Sequence, residues 1–134
     1  MVTYPKQGRE KLLNDKMSDS ANWRVVLFKN NLTPDLDTVL GDLTEADFSG
    51  YARVTPTWGA ITIDGSNRAK SVGSSCVFAH DGGGTANDVY GYALINPSSG
   101  DLLFIDRLPT TPKTMSVAGD SITVTPTMTE EQGT

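Results

Sequence analysis

The chain has 134 residues, 37% of them apolar, and it carries 13 glycines and seven prolines. That length suits one domain, and the Gly/Pro content favours many short strands joined by turns over long helices. A formal charge of -5 disfavours nucleic acid and anionic membranes as partners, and the lone Cys76 excludes an intrachain disulfide and a thiolate metal cluster. The start, MVTYPKQGREKLL, has no apolar signal-peptide core, and no apolar run approaches the roughly 20 residues of a membrane helix. A soluble protein made inside a cell is the expectation.

Residues 1–8 read as an extended arm broken by Pro5 and Gly8, and residues 9–17 (REKLLNDKM) as a short helix with Leu12, Leu13 and Met17 on one side. A polar connector, residues 18–22, follows. At Trp23 the period changes: WRVVLFKN (23–30) is apolar on both faces, as in a strand covered on both sides. Residues 31–52 read as a long loop with one helical turn near 44–47 that Thr44 caps. Loops of this length usually act on something or wrap a neighbour.

Short strands with turn punctuation come next. They are expected at 52–58, 60–63, 67–72, 74–80, 88–96, 101–108, 114–118 and 121–128. Asp64–Gly65, the Gly82–Gly84 run, Ser99–Gly100 and Gly119–Asp120 supply turns. The pattern predicts an all-β protein: one β-sandwich or jelly-roll-like domain (23–128) behind an N-terminal arm and short helix (1–22), with a loose tail at 129–134.

No constellation passes a test for catalysis. Cys76 and His80 on one strand stand roughly 13 Å apart, too far for a dyad. The acids Asp35, Asp37, Asp42, Glu45 and Asp47 do not follow the calcium-loop pattern, because Val39 replaces a ligand. Gly82–Gly84 lacks the lysine and spacing of a phosphate loop. Trp23, Tyr51, Trp58, Tyr90 and Tyr92 are candidates for sugar stacking, with core or subunit contacts as the plainer reading. The expectation is no enzyme, no cofactor and no metal.

Charge is unevenly placed. Residues 1–34 hold six basic and three acidic groups, and residues 35–47 hold five acids and no base. A basic arm on an acidic body suits docking onto an acidic protein surface. In the loop, Leu36, Val39, Leu40, Leu43 and Phe48 are expected to pack, with the acids outward. The residues expected to touch a partner are Lys6, Arg9, Lys11 and Leu12 in the arm and Leu36, Phe48 and Tyr51 in the loop.

Three segments carry a resemblance: K-Q-G-R-E-K-L-L-N near the start, V-V-L-F-K-N-N-L-T-P…D-T-V-L-G-D-L-T-E-A-D-F-S-G-Y-A, and V-A-G-D-S-I-T-V-T-P near the end. Together they resemble a group of small tailed-phage virion proteins with the pattern L-F-x-N-N…T-x-L-x-D-F-T-E-A-x-F-x-G-Y before a β-sandwich. Most of the specificity lies in residues 27–52, where Leu43 stands in place of the pattern's Phe. The resemblance implies a capsid decoration (cement) protein or a tail-associated one, and no catalytic residue. The expected role is therefore a homotrimeric cement protein on the capsid surface, bound to the major capsid protein, without nucleic acid or membrane. The alternative is a tail or fibre accessory that binds host glycans.

Overall fold

The computed structural model describes Thr3 and residues 5–130. The described chain is mostly strands in small antiparallel sheets, with one short α-helix near its start. It is an all-β fold. It divides into two compact units: one takes the chain up to Ala21, Pro56–Ser75 and the residues from Thr125 on, the other Asn22–Thr55 and Cys76–Val124. The boundary expected at Trp23 falls beside the Ala21/Asn22 division, but the segment expected as a single sandwich is shared between the units.

In the first unit, helix α1 (Lys6–Lys16) starts three residues earlier than the composition suggests and continues as a 3-10 turn, Met17–Asn22. Its good helix formers are held by tertiary packing, as so short a helix requires. Arg9 and Leu13, four residues apart, lie on one face and are buried. That face meets a sheet of three strands, β2 (Thr62–Ile63), β3 (Ala69–Val72) and β10 (Thr127–Glu130), in the order β10-β3-β2. Lys16 closes the contact with an ion pair to Glu130 at 2.6 Å. The helix expected in an arm is thus part of a folded unit, and Thr129 and Glu130, expected in a loose tail, are strand residues. The rest of that expected tail, and Met1, Val2 and Tyr4 of the expected arm, lie outside the described residues.

The turn predicted at Asp64–Gly65 joins β2 to β3. Asp64 holds it, its carboxylate accepting the amide hydrogens of Ser66 and Arg68, each at 2.9 Å. Asn67 takes a positive φ of 61°, a conformation that asparagine tolerates better than most residues.

The second unit is built on β1 (Arg24–Phe28), β6 (Gly91–Asn96) and β7 (Asp101–Arg107), in the order β1-β6-β7. Two-stranded pairs complete it: β4 (Cys76–Ala79) with β9 (Ser121–Val124), and β5 (Asn87–Val89) with β8 (Lys113–Met115). Because β1 is apolar on both faces, both are covered. Val26, Ala93 and Ile95 form one buried face, against which Leu40, Leu43, Leu102 and Ile105 pack. The run expected as one strand at 88–96 is two, broken at Tyr90, where the chain leaves β8 to pair with β1 and β7. Residues 52–58, expected as a strand, make only isolated bridges at Val54 and Trp58.

Candidate functional site

The segment between β1 and the aromatic core of the second unit is ordered by its own polar side chains. At its base the Asn30 side chain accepts the Thr44 amide hydrogen and donates to the Asp42 carbonyl, both at 2.9 Å. Arg107, from the end of β7, donates to Asn31 Oδ1 at 2.9 Å and to the Leu32 carbonyl at 2.7 Å. Further out, Asp35 Oδ1 accepts the Asp37 amide hydrogen at 2.9 Å, and Thr38 Oγ1 accepts that of Asp35 at 2.9 Å. The Thr38 N–H returns to the Asp35 carbonyl at 3.2 Å, closing a turn with Leu36 and Asp37 at its tip. A second closure follows, with Asp42 Oδ2 accepting the Val39 amide hydrogen at 2.9 Å. The helical turn expected near 44–47 does not form, Glu45 making a bridge to Phe28 instead, and a 3-10 turn lies earlier, at Leu40–Asp42.

This arrangement sorts the apolar residues of the loop. Leu40 and Leu43 pack on the Val26 face, and Phe48 is buried. Leu36 and Val39, expected to pack with them, are exposed instead; Leu36 is wholly so, at 105%. A turn tip has no room to fold a side chain back onto the sheet, so Leu36 points away. Two large apolar side chains thus stand on an ordered acidic loop beside Asp35, Asp37 and Asp42.

Phe48 and Tyr51, expected to touch a partner, do interior work. Phe48 meets the ring of Tyr51 edge-on at 5.4 Å and stacks with His80 at 5.9 Å, and Tyr51 stacks with Phe78 at 5.9 Å. The Tyr51 hydroxyl donates to Glu45 Oε2 at 2.8 Å, and Arg53 grips both oxygens of the same carboxylate at 3.0 and 2.8 Å. Burial pushes the Tyr51 hydroxyl well above the usual phenol range. Burial also opposes ionisation of Glu45, but hydrogen bonds from Arg53 and Tyr51 outweigh it and hold the carboxyl below its ordinary value. On the rim, hydrogen bonds from Lys29 and Asn87 keep Asp47 below the carboxylate range.

Cys76 and His80, rejected as a dyad on their spacing, are both sequestered. Cys76 is buried, which raises its thiol, and His80 is 3% exposed. Both imidazole nitrogens of His80 are engaged by backbone: Nδ1 accepts the Gly82 amide hydrogen and Nε2 meets the Thr85 carbonyl, each at 2.9 Å.

In the first unit, Lys6, Lys11 and Leu12 lie on the exposed side of α1, with Lys11 paired to Asp15 at 2.9 Å. Arg9 does not join them. It is buried, its guanidinium donating to the Asn67 carbonyl, so it cannot serve as an arm contact. An open cleft of about 420 Å³ in this unit is lined by neutral groups, among them Asn14, Met17, Ser18, Ile61 and Ser71. The Ser71 hydroxyl is spent on the Gly59 carbonyl at 2.6 Å. Among the described residues no three His, Cys, Asp or Glu side chains gather as a metal site, and no helix is long and apolar enough to cross a membrane.

Sequence reasoning missed Asn30 and Arg107, which brace the loop from outside it, because those contacts span up to 76 positions. The turn at Asp35–Thr38 did carry a local signal: Asp followed three residues later by Thr is a side-chain-closed turn pattern. Compared with protein-family models, curated proteins and solved structures, the chain matches none.

Proposed function

We propose that this chain is a structural protein of a tailed-bacteriophage virion, a capsid decoration (cement) protein that binds the major capsid protein across subunits of the head shell. The observation that carries the reading is the loop tip: Leu36 fully exposed and Val39 exposed on a segment braced by Asn30, Arg107 and its own acids. An apolar side chain fixed on an ordered projection loses little conformational freedom on docking, which is what an anchor residue needs. The surrounding Asp35, Asp37 and Asp42 suit a shell surface with an apolar recess in a basic rim. Residues 22–55 and 76–124 carry ten acidic and five basic side chains, which keeps the unassembled subunit soluble. The exposed Lys6, Lys11 and Leu12 of α1 supply a second contact of opposite charge.

Non-catalytic action fits a site in which Cys76 is buried and both nitrogens of His80 are committed to backbone. In this reading the small antiparallel sheets belong to a jelly-roll-like sandwich, and three copies assemble as a trimer. Trimeric attachment makes the second and third contacts effectively intramolecular, so weak individual docking suffices. The test is the copy number and position of the protein in purified particles. Hundreds of copies on the head, and a loss of occupancy with Leu36→Asp in a variant whose melting is unchanged, are expected. A few copies confined to the tail, with binding on a glycan array, would overturn the cement reading.

A further inference from the structure

We propose that His80 is an acid-sensitive latch on the glycine-rich loop of residues 81–85. The loop is tied down at few points. His80 Nδ1 takes the Gly82 amide hydrogen, and Nε2–H donates to the Thr85 carbonyl, which also accepts the Ser49 N–H at 3.0 Å. Ser49 Oγ accepts the Thr85 amide hydrogen at 3.0 Å, and the Ser49 carbonyl accepts that of Asp81 at 3.1 Å. The loop is therefore closed onto the 48–51 segment through one serine and one imidazole. Gly83 fits because it lacks a side chain: a Cβ there would lie 2.6 Å from the Ser49 hydroxyl.

The hydrogen-bond pattern fixes the state of the ring. A backbone N–H can only donate, so Nδ1 must offer a lone pair, and the single ring proton sits on Nε2 facing a carbonyl. Adding the second proton places N–H against N–H across the 2.9 Å gap to Gly82. The Thr85 contact survives and strengthens, so the Gly82 side of the loop must move. Buried as it is against the Phe48 ring, the imidazolium gains little from water unless the loop opens.

Charged groups approach from each neighbouring segment, and none bonds to the ring. From 45–51, Glu45 is bound by Arg53, and Asp47 by Lys29 and Asn87. From the 116–120 turn comes Asp120. Its carboxyl lies below the usual range, first through the Ser116 and Val117 amides and then through the charges of Lys113 and His80. Asp81, beside the histidine in the chain, spends Oδ1 on the Gly83 N–H at 2.9 Å. None of these carboxylates can restore the acceptor that Gly82 loses.

The test uses the intact protein, in which the single histidine makes the ring signal unambiguous. Nitrogen-15 spectra at neutral pH should show the proton on Nε2. As the ring titrates, the exchange protection factor of the Gly82 amide should fall about tenfold, while Val25 and Leu27 stay protected. His80→Asn, whose carbonyl oxygen stands in for Nδ1 and does not titrate, should remove that pH dependence. A ring proton on Nδ1 at neutral pH, titration without any change at Gly82, or the same loss in His80→Asn would each overturn the latch. If that variant does not fold, the two readouts on the unaltered protein still decide.

Discussion

The hydroxyl of Tyr51 occupies the place of a missing strand: it accepts the amide hydrogen of Leu27 at 3.2 Å on the edge of β1 that faces away from β6. Around it the same edge is served by backbone, with Val25 paired to Val54, and the Leu27 carbonyl taking the Ala46 N–H at 2.9 Å. Tyr51→Phe keeps the ring stack on Phe78 but leaves a buried N–H without an acceptor and Glu45 with Arg53 as its remaining donor. The expected cost is about 1–3 kcal/mol, the penalty of an unsatisfied buried polar group, read from urea unfolding. A change below about 0.5 kcal/mol would show that water or a neighbouring carbonyl replaces the phenol.

The carboxylates give stability a defined direction with pH. Glu45, Asp47, Asp64 and Asp120 all hold their protons less tightly than usual in the folded chain. A lowered folded value means that the unfolded chain binds the proton first on acidification. Stability from these groups is therefore complete above the unfolded range, near pH ~4, and lost as pH falls through the folded values. Melting temperature should be flat with respect to these groups from neutrality down to that range and then decline. Glu45→Gln, which cannot ionise, should lower the plateau and shallow the decline. An acid limb of unchanged slope in Glu45→Gln would remove Glu45 from the account.

Phe48 and Leu36 lie twelve positions apart in one segment and should behave in opposite ways. Phe48 is 2% exposed between Tyr51 and His80, so Phe48→Ala leaves a cavity and should cost about 3–5 kcal/mol. Leu36→Ala removes no internal contact and should change stability by less than about 0.5 kcal/mol. Its effect belongs to assembly alone. Equal effects on unfolding would mean that the loop tip folds back in solution.

Gly91 supplies a sharper packing test. A Cβ there would run into the Asp106 carbonyl oxygen on β7 and the Phe28 ring on β1, because β6 is gripped from both sides. Gly91→Ala should separate the strands and cost about 1–3 kcal/mol as over-packing does, measured by thermal unfolding. A neutral result would mean that the Phe28 ring swings aside freely.

These contrasts show what the sequence exposes and what it conceals. Alternation and turn chemistry located β2, β3, β4, β7 and β8 to within a few residues, because Asp64–Gly65, Ser99–Gly100 and Gly119–Asp120 act locally; Gly100 and Gly119 both adopt positive φ. The run expected as one strand at 121–128 is two, β9 and β10, which pair with different strands. The break at Tyr90 was illegible, since a strand that changes partners mid-run keeps the same composition. Phe48 and Leu36 likewise look alike in a loop rich in leucine and aspartate. What separates them is the stack of Phe48 on His80, some 30 positions on, and no local pattern encodes that distance. Charge misled in the same way at Arg9: its class predicts solvent, while its place four residues before Leu13 puts it against a sheet.

Arg9 therefore yields a prediction that separates packing from charge. Its guanidinium donates to the Asn67 carbonyl, yet its buried Nε has no hydrogen-bond partner among the described residues. Taking a charge out of water without full pairing is costly, whereas the three methylenes of the side chain fill space between α1 and the β2–β3 turn. Arg9→Met keeps most of that volume and removes the desolvated charge, so stability should hold or rise. Arg9→Ala loses the packing too and should lower it. Lys6→Ala and Lys11→Ala, on the exposed side, should do neither, because Lys11 loses only a surface pair with Asp15. Unfolding curves of the four variants side by side make the check. If Arg9→Met proved as damaging as Arg9→Ala, the Asn67 hydrogen bond rather than the aliphatic stem would be what holds α1 on its sheet.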